Sequence, residues 1–397
     1  MPVAVLPEKA THQQTRTFNQ QLVLRAIYDR NETSRAELAR LTGLTRTSVS
    51  ALVGELLRDG LVAETGTGPS TGGKAPIMLR VRPDARHLIG VDLTEPAFSG
   101  ALVDLRGKIV RSIRLPLEGR DGEDAVQVVM ALIDALASSN GSSPLLGIGI
   151  GAPGIIDSRT GTVRWAVNLD WAELALGQQV AQRYGLPVVV VNDSQAAAVA
   201  EFTFGAPTRP PNLVVVRIGR GIGSGIILEG ELFQGDGAGA GEIGHGIYGE
   251  PDPSLPLEPC RCGRMGCLET VASMQAMIRF AGLADPSITD AASLIAAVRA
   301  GNPAARRVVV DAGRRLGKGI GALISVLNIN EVLLIGAATA LGDDWLNAVR
   351  DEAIACALPQ LSRETRIELG AARDEDDVLV GASALLMTQE LGLSLAR

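Results

Sequence analysis

The sequence predicts an α/β fold in two parts, an N-terminal winged helix-turn-helix followed by a two-lobed α/β body. Three observations carry this prediction. Residues 17–56 read as three short, capped helices, the pattern turns to β-rich alternation from His87 onward, and one strand–turn–strand set recurs further along the chain. At 397 residues the chain is too long for one small core, since domains usually run to about 100–200 residues.

Thr17 and Gln20 stand at capping-box spacing, and Phe18, Leu22, Ala26 and Ile27 recur on one face, which predicts a first helix ending near Tyr28. Ser34 and Glu37 repeat the spacing, with Leu38 and Leu41 as the buried stripe of a second helix. Gly43 ends it, because glycine tolerates the left-handed conformation of a helix C-terminus, and Thr45 caps a third. There Val49, Leu52, Val53 and Leu56 lie at i, i+3, i+4 and i+7 and face inward.

Arg46, Thr47, Ser48 and Ser50 are left outward beside Thr45, with Arg35 opening the second helix. An arginine can give two hydrogen bonds to a guanine and hydroxyls can reach bases or phosphates, so these residues are candidate contacts to double-stranded operator DNA. Thr65–Gly73, rich in Gly, Thr and Ser, reads as the tip of a wing, and Lys74 is placed to reach a phosphate. Three helices also suit a packing module, but charge favours DNA. Residues 1–86 hold 12 Lys and Arg against 8 Asp and Glu, leaving 25 against 36 for the remainder. Pro83–Arg86 is the linker that closes this unit.

In the body, Leu88–Leu93, Phe98–Asp104 and Lys108–Leu115 read as strands, with Arg106-Gly107 as a hairpin turn. A second set covers Leu213–Ile218 and Gly225–Leu228, with Gly230 and Leu232 beyond, and an offset of 125 residues places Val216 on Val91 and Gly225 on Gly100. Helices are expected near Asp124–Ala137, Leu174–Tyr184 and Val308–Val326. The lobes are assigned to residues 87–205 and 206–379, with a C-terminal helix at about 380–397 packing back on the first. A ligand belongs in the cleft between them.

Hydrophobic residues make up 46% of the chain and aromatics 3%, so Ala, Val, Leu and Ile must build the core. No apolar run approaches the roughly 18–20 residues of a membrane span, and Met1–Ala10 carries Pro2, Pro7, Glu8 and Lys9. A cytoplasmic protein without a membrane partner is expected.

Cys260, Cys262 and Cys267 stand too close together for a disulfide framework, and Gly241-Glu-Ile-Gly-His245 precedes them. Three thiolates and one imidazole fill a tetrahedron, so a closed, structural Zn2+ site is expected at His245, Cys260, Cys262 and Cys267. Gly263 and Gly266 let the loop turn its sulfurs inward. Cys356, in an apolar helical stretch, is read as core.

This Gly-His followed by Cys-x-Cys-Gly-x-x-Gly-Cys-x-Glu, closed by Glu269, resembles the signature of the ROK (repressor, ORF, kinase) family, whose members are sugar kinases or sugar-sensing repressors. The resemblance implies an actin/hexokinase-like (ribonuclease H-like) body, and the winged head is the part that family regulators carry. Val188–Val191 is a strand ending at Asn192-Asp193 ahead of the helix-prone Ser194–Glu201, where an α/β protein holds polar ligands. By resemblance Asp193 matches the general base of the kinases, while Asn168, Asn192, Glu242, His245 and Glu269 match contacts to a sugar. The loop Gly151–Gly154 matches a further part of the pocket, and His245 would give one ring nitrogen to zinc and the other to the sugar.

Family kinases carry Asp-x-Gly-Gly-Thr in their first phosphate loop, where this chain has Asp92-Leu-Thr-Glu95-Pro96. Gly219-Arg220-Gly221 stands for Gly-Thr-Gly, and Gly336-Ala337-Ala338 for three glycines. Phosphates need close approach to backbone amides, so these departures point to a sensor without kinase activity and with no catalytic residue assigned. The alternatives are an ATP-dependent sugar kinase that also binds DNA, and a DNA-binding protein whose pocket takes a non-sugar ligand or a protein. A palindromic operator and the family resemblance imply a homodimer or homotetramer.

Overall fold

The computed structural model describes residues 11–69, 75–206, 209–249, 257–371 and 376–393. The head comprises α1 (His12–Arg30), β1 (Thr33–Ser34), α2 (Arg35–Thr42), α3 (Arg46–Arg58), β2 (Val62–Thr67) and β3 (Ile77–Val81), with its strands in the order β1-β3-β2. The first helix starts earlier than its sequence suggests. Thr11 and Gln14 form the capping box, so Thr17 lies inside the helix, and Val23, Leu24 and Ile27 are buried while Phe18 stays 64% exposed. In α2, Ser34 accepts from the Glu37 amide, but the Glu37 carboxylate turns to Arg40 instead of reaching back. Only Leu38 of that helix is buried, while Leu41, one turn further along the same face, stays 37% exposed.

Gly43 takes the left-handed conformation at φ 69° and Thr45 caps α3, whose four predicted apolar residues are all buried. The first wing strand runs further toward the tip than expected, to Thr67, and the second begins at Ile77. Lys74 lies outside the described residues.

The body begins with β4 (His87–Asp92), β5 (Ala97–Asp104), β6 (Ile109–Pro116), α4 (Gly122–Ser138) and β7 (Leu145–Ala152). A small hairpin set follows, β8 (Ile155–Asp157), β9 (Thr162–Ala166) and β10 (Trp171–Leu174), then α5 (Leu176–Tyr184), β11 (Val188–Asn192) and α6 (Asp193–Ala200). The second half comprises β12 (Leu213–Ile218), β13 (Ile222–Leu228), β14 (Glu231–Phe233), α7 (Leu268–Ala272), α8 (Met274–Ala284), α9 (Ala291–Arg299) and α10 (Pro303–Leu327). Then come β15 (Glu331–Ile335), α11 (Asp343–Cys356), α12 (Pro359–Ser362), β16 (Arg366–Leu369) and α13 (Asp377–Leu391).

The two large sheets repeat one topology. Their orders, β6-β5-β4-β7-β11 and β14-β13-β12-β15-β16, each join an antiparallel meander to two parallel strands. The 125-residue echo therefore matches β4 with β12 and β5 with β13, although the register differs by one: Val91 faces Gly100 while Val216 faces Ser224.

Helices α6 and α13 lie between the sheets. Ala196–Val199 of α6 and Val378 and Ala382 of α13 share one core with Leu213, Val215 and Leu333 of the second sheet. From Asp377 to Met387 helix α13 is buried on every side, as expected of a stretch that is apolar all round. A Cβ added at Gly381 would meet the Ala196 carbonyl oxygen at 1.8 Å, and one at Gly149 the Ala382 carbonyl oxygen at 2.4 Å, so these glycines let helix, helix and sheet approach. The far end of α13 reaches the head, where Leu386, Met387 and Leu393 share a core with Val23, Ile27 and Leu56. Arg106, expected only as a turn residue, donates to the Tyr28 carbonyl at 2.9 Å and stacks 4.0 Å over its ring. Cys356 is exposed, not core, because it sits on the outward face of α11 with its thiol 3.6 Å from Glu352. Among the described residues no helix is long and apolar enough to cross a membrane.

Candidate functional site

A cleft of about 210 Å³ opens between the two sheets at the N-terminus of α6. Its wall brings together Asn168, Asn192, Asp193, Glu242, His245 and Glu269 from four stretches of the chain. Strand β11 delivers Asn192 and Asp193 at its C-terminal end. Asn192 caps α6, its Oδ1 accepting from the Ser194 and Gln195 amides at 2.9 and 3.1 Å, while its Nδ2 donates to the Gly154 carbonyl at 2.9 Å. Its side chain thus holds the Gly151–Gly154 loop in place.

Asp193 is held on both oxygens. Oδ1 accepts from the Ser194 amide and hydroxyl, and Oδ2 accepts from Arg217 Nη1 at 2.9 Å. Sequence reasoning passed over Arg217. The signal was a lone guanidinium in the otherwise apolar strand Leu213–Ile218, since a buried charge requires partners. Burial works against its charge, but Asp193, Asp92 and Asp377 around it prevail and raise its pKa.

Asp92, at the end of β4, accepts from the Thr94 amide and hydroxyl at 3.0 and 2.6 Å. Burial pushes its pKa up to about 6 against the pull of Arg217 and Thr94. Burial, with Asp193 and Glu269 nearby, likewise pushes Glu242 up to about 7. Glu269 Oε2 accepts from the Ile222 amide at 3.3 Å.

His245 stands between the cleft and the cysteine loop. Its Nδ1 lies 3.5 Å from Cys260 Sγ, and its Nε2 lies 3.6 Å from Glu242. Cys262 and Cys267 place their sulfurs 3.5 Å apart, and one donor atom from each of the four residues lies within 4.8 Å of all the others. Sulfurs bound at about 2.3 Å to one tetrahedral ion stand about 3.7 Å apart, so this donor set fits a metal ion.

Two further arginines line the cleft. Arg220, between β12 and β13, has Nη2 3.7 Å from Glu95 Oε2; Arg261, between two cysteines, has Nη1 3.5 Å from the same oxygen and donates to Asn168 Oδ1. Trp165 also lines the cleft and is 41% exposed. Arg261 stands at the unspecified position of the Cys-x-Cys motif, and Trp165 lies outside the motifs that pointed to the site.

On the head, Thr45, Arg46, Thr47, Ser48 and Ser50 are exposed on one end of α3. The Thr45 and Ser48 hydroxyls lie 2.9 Å apart, and Arg35 pairs with Glu64 of the wing at 2.9 Å.

Fold and site together define a class: a winged helix-turn-helix head carried on a two-lobed, actin/hexokinase-like body with a polar cleft. The ROK family profile matches residues 88–389 and a MarR family profile residues 15–69. The chain belongs to the ROK family. It is 30% identical over 396 residues to the xylose repressor of Caldicellulosiruptor bescii, covering 96% of this chain and 98% of that one. It is 31% identical over 322 residues to the glucokinase of Halalkalibacterium halodurans, covering 77% and 96%. A crystal structure of a ROK family transcriptional regulator, described as a homolog of the E. coli MLC protein, superposes with a TM-score of 0.82 at 25% identity, covering 96% of this chain and 98% of that one.

Proposed function

We propose that this chain is a sugar-responsive transcriptional regulator, a repressor, which binds double-stranded operator DNA as a homodimer or homotetramer and senses a sugar without phosphorylating it. One observation carries the reading: the similarity to a repressor runs through head and body alike, whereas the similarity to a glucokinase spans 77% of this chain. Arg46, Thr47, Ser48 and Ser50 would meet base edges and phosphates in the major groove, with Arg35, Thr45 and Lys74 toward the backbone. Asn168, Asp193, Glu242, His245 and Glu269 would receive the sugar hydroxyls, and Asn192 supports the loop behind them.

A structural Zn2+ on His245 Nδ1, Cys260, Cys262 and Cys267 would hold the imidazole so that Nε2 faces the cleft. The ion supplies no chemistry to a substrate, because the protein fills all four positions. Asp193, whose Oδ2 is engaged by Arg217, and Glu95, Pro96 and Arg220, in loops where phosphates require small residues and backbone amides, support a cleft without kinase activity.

The test is a mobility-shift titration on promoter DNA, with and without a sugar panel, beside an assay for sugar phosphate with ATP. Expected are shifted DNA, a sugar-dependent change in affinity, weaker binding by Arg46→Ala and no turnover. Turnover above background establishes the kinase reading instead.

A further inference from the structure

Resting on the reading of the cleft as a sugar pocket, we propose that Glu95, Arg220 and Arg261 form an ionic clasp that draws the two lobes together over a bound neutral sugar. Glu95 sits on the turn between β4 and β5, and Arg220 on the matching turn between β12 and β13, so duplicated hairpins face each other across the cleft. Arg261 comes from the cysteine loop beside the second sheet and reaches both Glu95 and Asn168. Both bridges therefore cross from one half of the body to the other.

By resemblance, these turns match the two loops that face a nucleotide's phosphates in the family kinases. Here a carboxylate and two guanidiniums already fixed to the chain supply the bridging charge. Among the described residues Glu95 and Arg220 make no other ion pair or hydrogen bond, so their charges face the cleft with no competing duty. The contacts of 3.5 and 3.7 Å are longer than the roughly 2.7–2.9 Å of a tight charge-assisted hydrogen bond. A closing motion of about 1 Å would make them tight, and the gain would add to sugar binding.

The clasp is half exposed, with side-chain exposures of 21% for Glu95, 45% for Arg220 and 54% for Arg261, so salt screens it. A neutral sugar has no charge of its own for salt to screen. The clasp nevertheless makes its affinity fall as ionic strength rises.

Calorimetric titration of the full chain with neutral pentoses, hexoses and N-acetylhexosamines, at low and high salt, tests this. Expected are a salt-weakened affinity in the wild type and a loss of about three- to tenfold in Glu95→Gln and in Arg220→Gln. The double variant should lose no more than Glu95→Gln, which already removes both bridges, and Glu95→Gln and the double variant should lose the salt dependence that Arg220→Gln retains in part through Arg261. An unchanged melting temperature of Glu95→Gln shows that the fold is intact. Equal sugar affinity in wild type and Glu95→Gln overturns the clasp alone, and strictly additive losses do the same. Tighter binding of phosphorylated sugars, strengthened further by Glu95→Gln, also overturns it by making the arginines an anion site. No sugar binding by the wild type overturns the sugar reading itself and the clasp with it.

Discussion

Arg217 is the residue on which the floor of the cleft depends. Its guanidinium faces Asp193, Asp92 and Asp377 from strand β12, and its side chain is 23% exposed. Replacing it by methionine keeps the stem but removes the cation that Asp193, Asp92 and Asp377 share, a change that costs roughly 3–5 kcal/mol in comparable sites. Urea unfolding of Arg217→Met should show that loss. Asp92 adds a pH dependence of known sign. Its pKa rises from 3.8 in a free chain to about 6 in the fold, so between these values the native state holds a proton that the unfolded chain releases. Stability therefore falls as pH rises through the window, by on the order of 2–3 kcal/mol from this group. Asp92→Asn should flatten the slope of stability between about pH 4 and 6 relative to wild type.

At the scale of elements, the capped α2-turn-α3 was legible because its signals are local: Ser34, Gly43 and Thr45 act on backbone groups within a few residues. The start of α1 was misplaced because Thr11/Gln14 and Thr17/Gln20 have the same spacing, and only packing chooses between them. Helix α13 carries the fold-level consequence. It touches α6 beneath Asp193 at one end and the head at the other, so a shift of this helix has a physical route from cleft to DNA-reading surface. Gly381→Ala places a methyl group against the Ala196 carbonyl oxygen and must part α13 from α6. A fall in melting temperature equivalent to about 1–3 kcal/mol is expected, together with a loosened response of DNA binding to sugar.

For the whole molecule, the head is built into the body. Val23, Ile27 and Leu56 of the head share one core with Leu88, Leu105 and Leu386, and Arg106 anchors Tyr28 from the body side. The loop that holds Arg261 and Cys262 beside the cleft is small and rich in turns, and the metal would supply the cohesion that packing cannot. Chelation of the purified protein is therefore expected to lower its melting temperature and weaken sugar binding, while added zinc restores both. A chelated protein with full sugar affinity would separate the metal from the cleft.

Residue pattern alone determined the three-helix head, the duplicated strand sets and the His245/Cys260/Cys262/Cys267 cluster, because capping, alternation and ligand spacing operate over short stretches of chain. The family resemblance pointed to Asn168, Asp193, Glu242 and Glu269 as one pocket. Tertiary structure alone decided that Arg217 grips Asp193, that Asn192 is occupied as a cap, and that Glu95 and Arg261 meet across the cleft. Those contacts join residues tens to more than a hundred positions apart, or depend on which backbone groups a side chain finds first. Charge pairing and burial are properties of distance in space, which spacing along a chain does not carry.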